Sequence, residues 1–148
     1  MKKLKLVVVG KLKEKFFADA CSEYLKRLQR FATVTVTELK DKDGSDEIVK
    51  ESDDILRAIE GKVFLTDIGG ELLSSEQLSA SMKNAFLQSD TITFVIGGSR
   101  GVDDRVRSIA DKRISFGRMT FPHMLMRVMT LEQIYRAFTI AEGLPYHK

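Results

Sequence analysis

The side chains able to do chemistry are few and late in the chain. His123 and His147 titrate near neutral pH and are candidate bases or orienting groups. Cys21 is the single cysteine, so no disulfide forms within one chain. With both histidines far from it in sequence, no structural zinc set is expected, and no metal. Each histidine also has a plainer reading: His123 as a capping residue just inside a helix start, His147 as a surface residue near the chain end.

Glycine is the other chemical signal. The apolar run Phe94–Ile96 stops on Gly97-Gly98, with Gly101 three residues on. A dinucleotide-binding turn requires G-x-G-x-x-G, and a phosphate-cradling P-loop requires G-x-x-x-x-G-K-[ST]. The spacing G-G-x-x-G meets neither. Two readings remain: a tight strand-to-helix turn, or a wall of bare backbone against which a flat ligand lies. A second loop, Phe116–His123, combines Gly117, the basic Arg118 and Phe121, then enters the segment HMLMRVMTLEQIYRAF. Arg127 and Arg136 are read as lying within about a quarter turn of each other on that helix. They are candidate phosphate or carboxylate ligands, or else ion-pair partners of Glu132 or a neighbouring helix. The methionines at 119, 124, 126 and 129 read as core or interface packing.

The elements that must position these residues follow from periodicity. Strands are expected over Leu4–Val9, Thr33–Leu39, Lys62–Asp67 (closed by Gly69-Gly70), Thr91–Ile96 and Arg113–Phe116. Helices are expected over Glu14–Phe31, along Ile48, Ser52, Ile55 and Ile59, and along Leu78, Met82 and Ala85. Ser74 and Gln77 form a capping box for the third of these. Asp103 and Asp104 suit the first turn of a fourth helix. Pro122 starts a long last helix, which Gly143 and Pro145 end.

Strand and helix thus alternate five times. That pattern means an α/β fold with a mostly parallel five- to six-stranded sheet and helices on both faces, in a single domain over 1–148. Ligands of such sheets bind at the carboxyl ends of strands. That rule selects Thr66–Gly70, Gly97–Gly101 and Gly117–Pro122.

Charge and composition narrow the class. From Arg100 onward there are nine Lys/Arg against five Asp/Glu, whereas the rest of the chain is slightly acidic. The excess favours an anionic partner there. No run approaches a membrane span. The N-terminal MKKLKLVVVGK reads as a first strand rather than a secretory leader, which implies a cytoplasmic protein.

The segments FVIGGSRG, SFGRMTFPHMLMRVMTLEQIYRAF and LPYHK, in that order, resemble the RlmH family of the SPOUT superfamily. These are bacterial methyltransferases of pseudouridine in large-subunit ribosomal RNA. The resemblance runs from KLKLVVVGK to PYHK. It implies a C-terminal trefoil knot, a homodimer, S-adenosylmethionine as cofactor, and methylation of N3 of a pseudouridine on the assembled ribosome. It also implies cofactor-binding roles for Thr66, Gly98, Gly117, Arg118, Met119, Thr120, Phe121 and Pro122. Thr66 stands where the family would have leucine. Tyr146, His147 and Arg136 are expected to position substrate, and Arg100, Arg113, Arg127 and His123 to contact RNA. The rival class is a non-catalytic flavodoxin-like module, against which the FPH, YRAF and PYH segments discriminate.

Overall fold

A computed structural model describes residues 1–148. The elements are β1 (Lys3–Val9), α1 (Lys15–Leu28), β2 (Thr33–Leu39), α2 (Glu47–Ala58), β3 (Lys62–Leu72), α3 (Ser75–Gln88), β4 (Thr91–Ile96), α4 (Asp104–Ile109), β5 (Lys112–Ser115) and α5 (His123–Ala141). The five strands form one sheet in the order β2-β1-β4-β3-β5, and every pairing is parallel. No sixth strand is added. No helix is long and apolar enough to cross a membrane.

Strand alternation sorts the core into two layers. Leu4, Leu6, Val8, Phe64, Ile92 and Phe94 face α1, α3 and α5 in a cluster of 18 buried residues. Val7, Val9, Val63, Leu65 and Val95 face α2 and α4 in a smaller cluster of 8. All six residues of β4 are buried, including Thr91 and Thr93, and Thr93 Oγ1 donates to the Glu60 carbonyl at 2.6 Å. On α3 the capping box forms as expected: Ser74 Oγ accepts the Gln77 N–H at 3.1 Å, and Gln77 Oε1 accepts the Ser74 N–H at 2.8 Å.

Several boundaries differ from the sequence reading: α1 ends at Leu28 rather than Phe31, and β5 is Lys112–Ser115 rather than Arg113–Phe116. Ile59 lies beyond α2, in extended backbone that turns toward β3. More consequentially, Gly69-Gly70 does not close β3. The strand runs on to Leu72, and both Thr66 and Glu71 pair with Ile114 of β5, so the residues between them bulge out. Gly70 permits this because a Cβ there would fall 2.6 Å from the Arg113 carbonyl carbon. Asp67 pins the bulge by accepting from Arg113 Nε at 3.0 Å and from its own Gly69 N–H at 3.1 Å.

Candidate active site

The three loops selected by the carboxyl-end rule converge. Thr66, Asp67 and Ile68 from the β3 bulge, Gly97–Val102 after β4, and Ile114–Gly117 with Met119–Phe121 after β5 line one cleft of about 290 Å³. His123 and Met126, from the first turn of α5, close its far side. The size suits a small ligand, and the walls mix apolar side chains with bare backbone.

Local chemistry shapes each wall. Gly101 donates its N–H to the Gly98 carbonyl at 3.0 Å, so the glycine loop is a tight turn as well as a wall. Ser115 Oγ donates to the Gly117 carbonyl at 2.9 Å and accepts the Gly117 N–H at 3.1 Å, which bends the chain out of β5. Gly101 (φ 81°) and Gly117 (φ 128°) adopt backbone that other residues rarely reach. A Cβ at either would meet nothing within 4 Å, so this backbone borders open space. Thr66 Oγ1 donates to the Val95 carbonyl at 3.2 Å. The hydroxyl is therefore spent on β4, and threonine in place of leucine leaves no free polar group there.

The expected cofactor residues divide. Thr66, Gly98, Gly117, Met119, Thr120 and Phe121 line the cleft, while Arg118 and Pro122 are exposed and stand outside its wall. Met119 is 77% exposed at the mouth. Val102 and Arg107 line it too and were not singled out by sequence, and Met126, read as packing, lines it as well.

The expected RNA-contacting residues divide further. Arg100 is exposed at the cleft, loosely held by Glu47 at 3.1 Å. Arg113 is tied to Asp67, with Nη2 at 2.9 Å. His123 lies inside the cleft rather than on the surface.

Arg127 requires correction. Its side chain is 3% exposed, with Nη1 2.5 Å from Glu38 Oε2 and Nη2 donating to the Gly10 carbonyl at 2.9 Å. It staples α5 to the ends of β1 and β2 and is removed from any surface that RNA touches. The supposed shared side with Arg136 also fails. Nine residues at about 100° each is about half a turn, so the two guanidiniums leave α5 on opposite sides.

Arg136 organises the C-terminal tail instead. Glu132 accepts from Arg136 Nη2 at 2.6 Å and from the Tyr146 hydroxyl at 2.6 Å. Arg136 Nη1 lies 3.0 Å from His147 Nδ1, and its guanidinium covers the Tyr146 ring at 4.7 Å. His147 Nε2 contacts Glu76 at the start of α3. Burial pushes the Glu132 carboxyl up, but the hydrogen bonds from Arg136 and Tyr146 outweigh it and hold the group below its ordinary range. Burial, then the hydrogen bond to Glu132, raises the Tyr146 phenol above its usual value. Tyr146 therefore stays protonated and acts as a donor, not a base.

None of Tyr146, His147 or Arg136 lines the cleft of its own chain. A second hollow of about 240 Å³, walled by Ser74, Ser75, Leu78 and Gln133, shares Ile114–Gly117 with the first and extends from it toward the tail cluster.

The sequence reading missed Glu51 on α2 and named Ser52 only for its helical spacing. Both are buried. Glu51 falls at helical spacing with Ile48 and Ile55 on the apolar stripe of α2, and a carboxylate on such a stripe was the available signal. Ser52 Oγ accepts the Asp103 N–H at 3.0 Å, and Glu51 Oε2 accepts the Lys42 N–H at 2.9 Å.

An all-parallel sheet whose carboxyl edge carries three converging loops around one cleft defines a small-molecule-binding α/β protein. The chain belongs to the SPOUT methyltransferase family, whose model, described as "Predicted SPOUT methyltransferase", matches residues 2–147. It is 46% identical to the ribosomal RNA large subunit methyltransferase H of Lactobacillus acidophilus, with 98% of this chain and 99% of the relative covered. It is 41% identical to the protein of the same name in Streptococcus pneumoniae, with 99% of each covered. Solved structures agree in fold. The tRNA (m1G37) methyltransferase from Aquifex aeolicus superposes with a TM-score of 0.54 at 18% identity, over 98% of this chain and 72% of that one. A Legionella pneumophila protein solved with bound SAM gives 0.53 at 11% identity, over 93% of this chain. This chain covers 66% of that protein's length, just under two thirds.

Proposed function

We propose that this chain transfers a methyl group from S-adenosylmethionine to N3 of a pseudouridine in large-subunit ribosomal RNA, on the assembled ribosome and as a homodimer. One observation carries the reading. The three loops that the family resemblance selects for the cofactor form a single cleft, in a chain whose near full-length relatives are named for methylating that RNA.

The cleft fits an adenosyl group. The bare backbone of Gly101 and Gly117 borders open space where a side chain would intrude, so a flat ring system can lie against it. Backbone N–H and carbonyl groups of Met119–Phe121, which line the cleft, would read its polar edge. When bound, the cofactor supplies an activated methyl on a cationic sulfur, so alignment is the protein's main contribution. The N3 proton would pass to water, since neither histidine is assigned as a base, and the protein's residues would hold the ring in line with the methyl. The Tyr146 hydroxyl donates its one proton to Glu132, so it offers substrate an acceptor oxygen, and Arg136 and His147 hold the tail that carries it.

The tail of one chain does not reach that chain's own cleft, which supports a homodimer in which one protomer's tail serves its partner's cleft. Arg100, exposed at the cleft, is suited to a phosphate that positions RNA without reading sequence. A trefoil knot in the β4–α5 region belongs to the same proposal.

The test is methyl transfer to ribosomes from a strain lacking the modification, followed by mass mapping. Methyl on N3 of one large-subunit pseudouridine is the expected result. Transfer to another nucleotide refutes the specificity. Absence of both S-adenosylmethionine and S-adenosylhomocysteine binding by calorimetry refutes the activity.

A further inference from the structure

The acidic groups around the cleft are almost all neutralised. Asp67 is paired with Arg113, Asp104 with Arg107 and Glu47 with Arg100. Glu51 is not. It is 5% exposed, makes no ion pair, and has one hydrogen bond, from the backbone of Lys42 to Oε2. Its other oxygen abuts the glycine loop: a Cβ on Gly98 would lie 2.7 Å from Glu51 Oε1. Gly98 lines the cleft. A buried carboxylate with no cation thus sits one backbone thickness behind the ligand wall. Asp41, Glu47 and His123 are the other titratable groups that face it; the first two repel it, and His123, in the cleft, opposes them without forming an ion pair. Such a charge destabilises a fold unless something cationic is brought to it.

We propose that Glu51 sets the charge preference of this cleft, favouring the cationic sulfonium cofactor over the neutral thioether that remains after transfer. This rests on the methyltransferase reading above. Transfer removes the methyl and the positive charge from sulfur together. The attraction to Glu51 is therefore present when cofactor binds and absent when product must leave. Glu51 touches neither ligand. It acts across Gly98, and it is a specificity residue rather than a catalytic one.

The neighbouring Ser52 provides the control. It pins the other end of the same loop through the Asp103 N–H, and it carries no charge. If Glu51 only braced the loop, losing it would resemble losing Ser52.

The experiment is calorimetry of S-adenosylmethionine and S-adenosylhomocysteine with wild type, Glu51→Gln, Glu51→Ala and Ser52→Ala. Glutamine keeps the shape and can still accept the Lys42 N–H. For Glu51→Gln, cofactor affinity is expected to fall about tenfold, the size of attraction between unit charges about 10 Å apart in a protein site. Product affinity is expected to change less than about twofold, so the ratio of the two falls about tenfold, or about 1.4 kcal/mol. Ser52→Ala is expected to weaken both ligands alike. An unchanged ratio in whichever Glu51 variant folds overturns the proposal, as does equal loss of both ligands. Failure of both Glu51 variants to fold makes the role structural and overturns it too. Wild type that binds neither ligand refutes the methyltransferase reading instead.

Discussion

Arg127→Ala separates a structural arginine from an RNA ligand. The side chain is almost wholly buried, and two bonds are lost. The bond to the Gly10 carbonyl joins a cation to a neutral acceptor and is worth about 1.5–3 kcal/mol. The Glu38 side chain is 38% exposed, so its half of the ion pair re-solvates and adds only about 0.5–1 kcal/mol. Loss of the buried aliphatic stem adds roughly 1 kcal/mol. The total is about 3–5 kcal/mol, and a chain of this size loses roughly 2–4 °C of melting temperature per kcal/mol. A fall of roughly 10 °C is expected by circular dichroism, with Arg127→Lys intermediate because ammonium cannot serve both acceptors as the guanidinium fork does. The salt dependence of RNA binding should not change. An unchanged melting temperature, together with a log-log salt slope shallower by about one phosphate contact, would refute the structural assignment.

Other perturbations probe the remaining parts. Gly70→Ala drives a Cβ into the Arg113 and Ile114 backbone, costing about 1–3 kcal/mol; cofactor affinity should fall with stability, because β5 leads into the Gly117 loop. Burial and the nearby Asp41 and Glu47 raise the Glu51 carboxyl above its ordinary 4.5, so its ionisation destabilises the fold as pH rises from about there through the folded value. Glu51→Gln should therefore raise the melting temperature at pH 7 and change it little at pH 4, as differential scanning calorimetry would record. Deleting Pro145–Lys148 should abolish methyl transfer while sparing cofactor binding; loss of both would show the tail to be structural.

The sequence carried the elements because local physics chose them. β-branched and aromatic residues mark the buried β4, and the Ser74–Gln77 pair marks the start of α3. Its failures share one cause, which is that partners distant in sequence decide. Gly69-Gly70 looks like a stop, yet it is a close approach to Arg113, 43 residues away by number. Arg127 looks like a phosphate ligand until β1 and β2 supply Gly10 and Glu38. The cleft loops were legible because the carboxyl-end rule needs only strand order along the chain. The strand order across the sheet was not legible, and neither was which face of α2 meets the glycine loop.

The two core layers are unequal, 18 buried residues against 8, and the glycine loop belongs to the smaller. Local opening takes the least-buried layer first. Amide hydrogens of α2 and α4 should then exchange before those of α1, α3 and α5. A ligand seated on Gly98 stabilises only conformations in which that thin layer is closed, and its binding free energy is added there by mass action. Occupancy of the cleft would be written as exchange protection along Glu47–Ala58 and Asp104–Ile109, on the side of the sheet away from the tail.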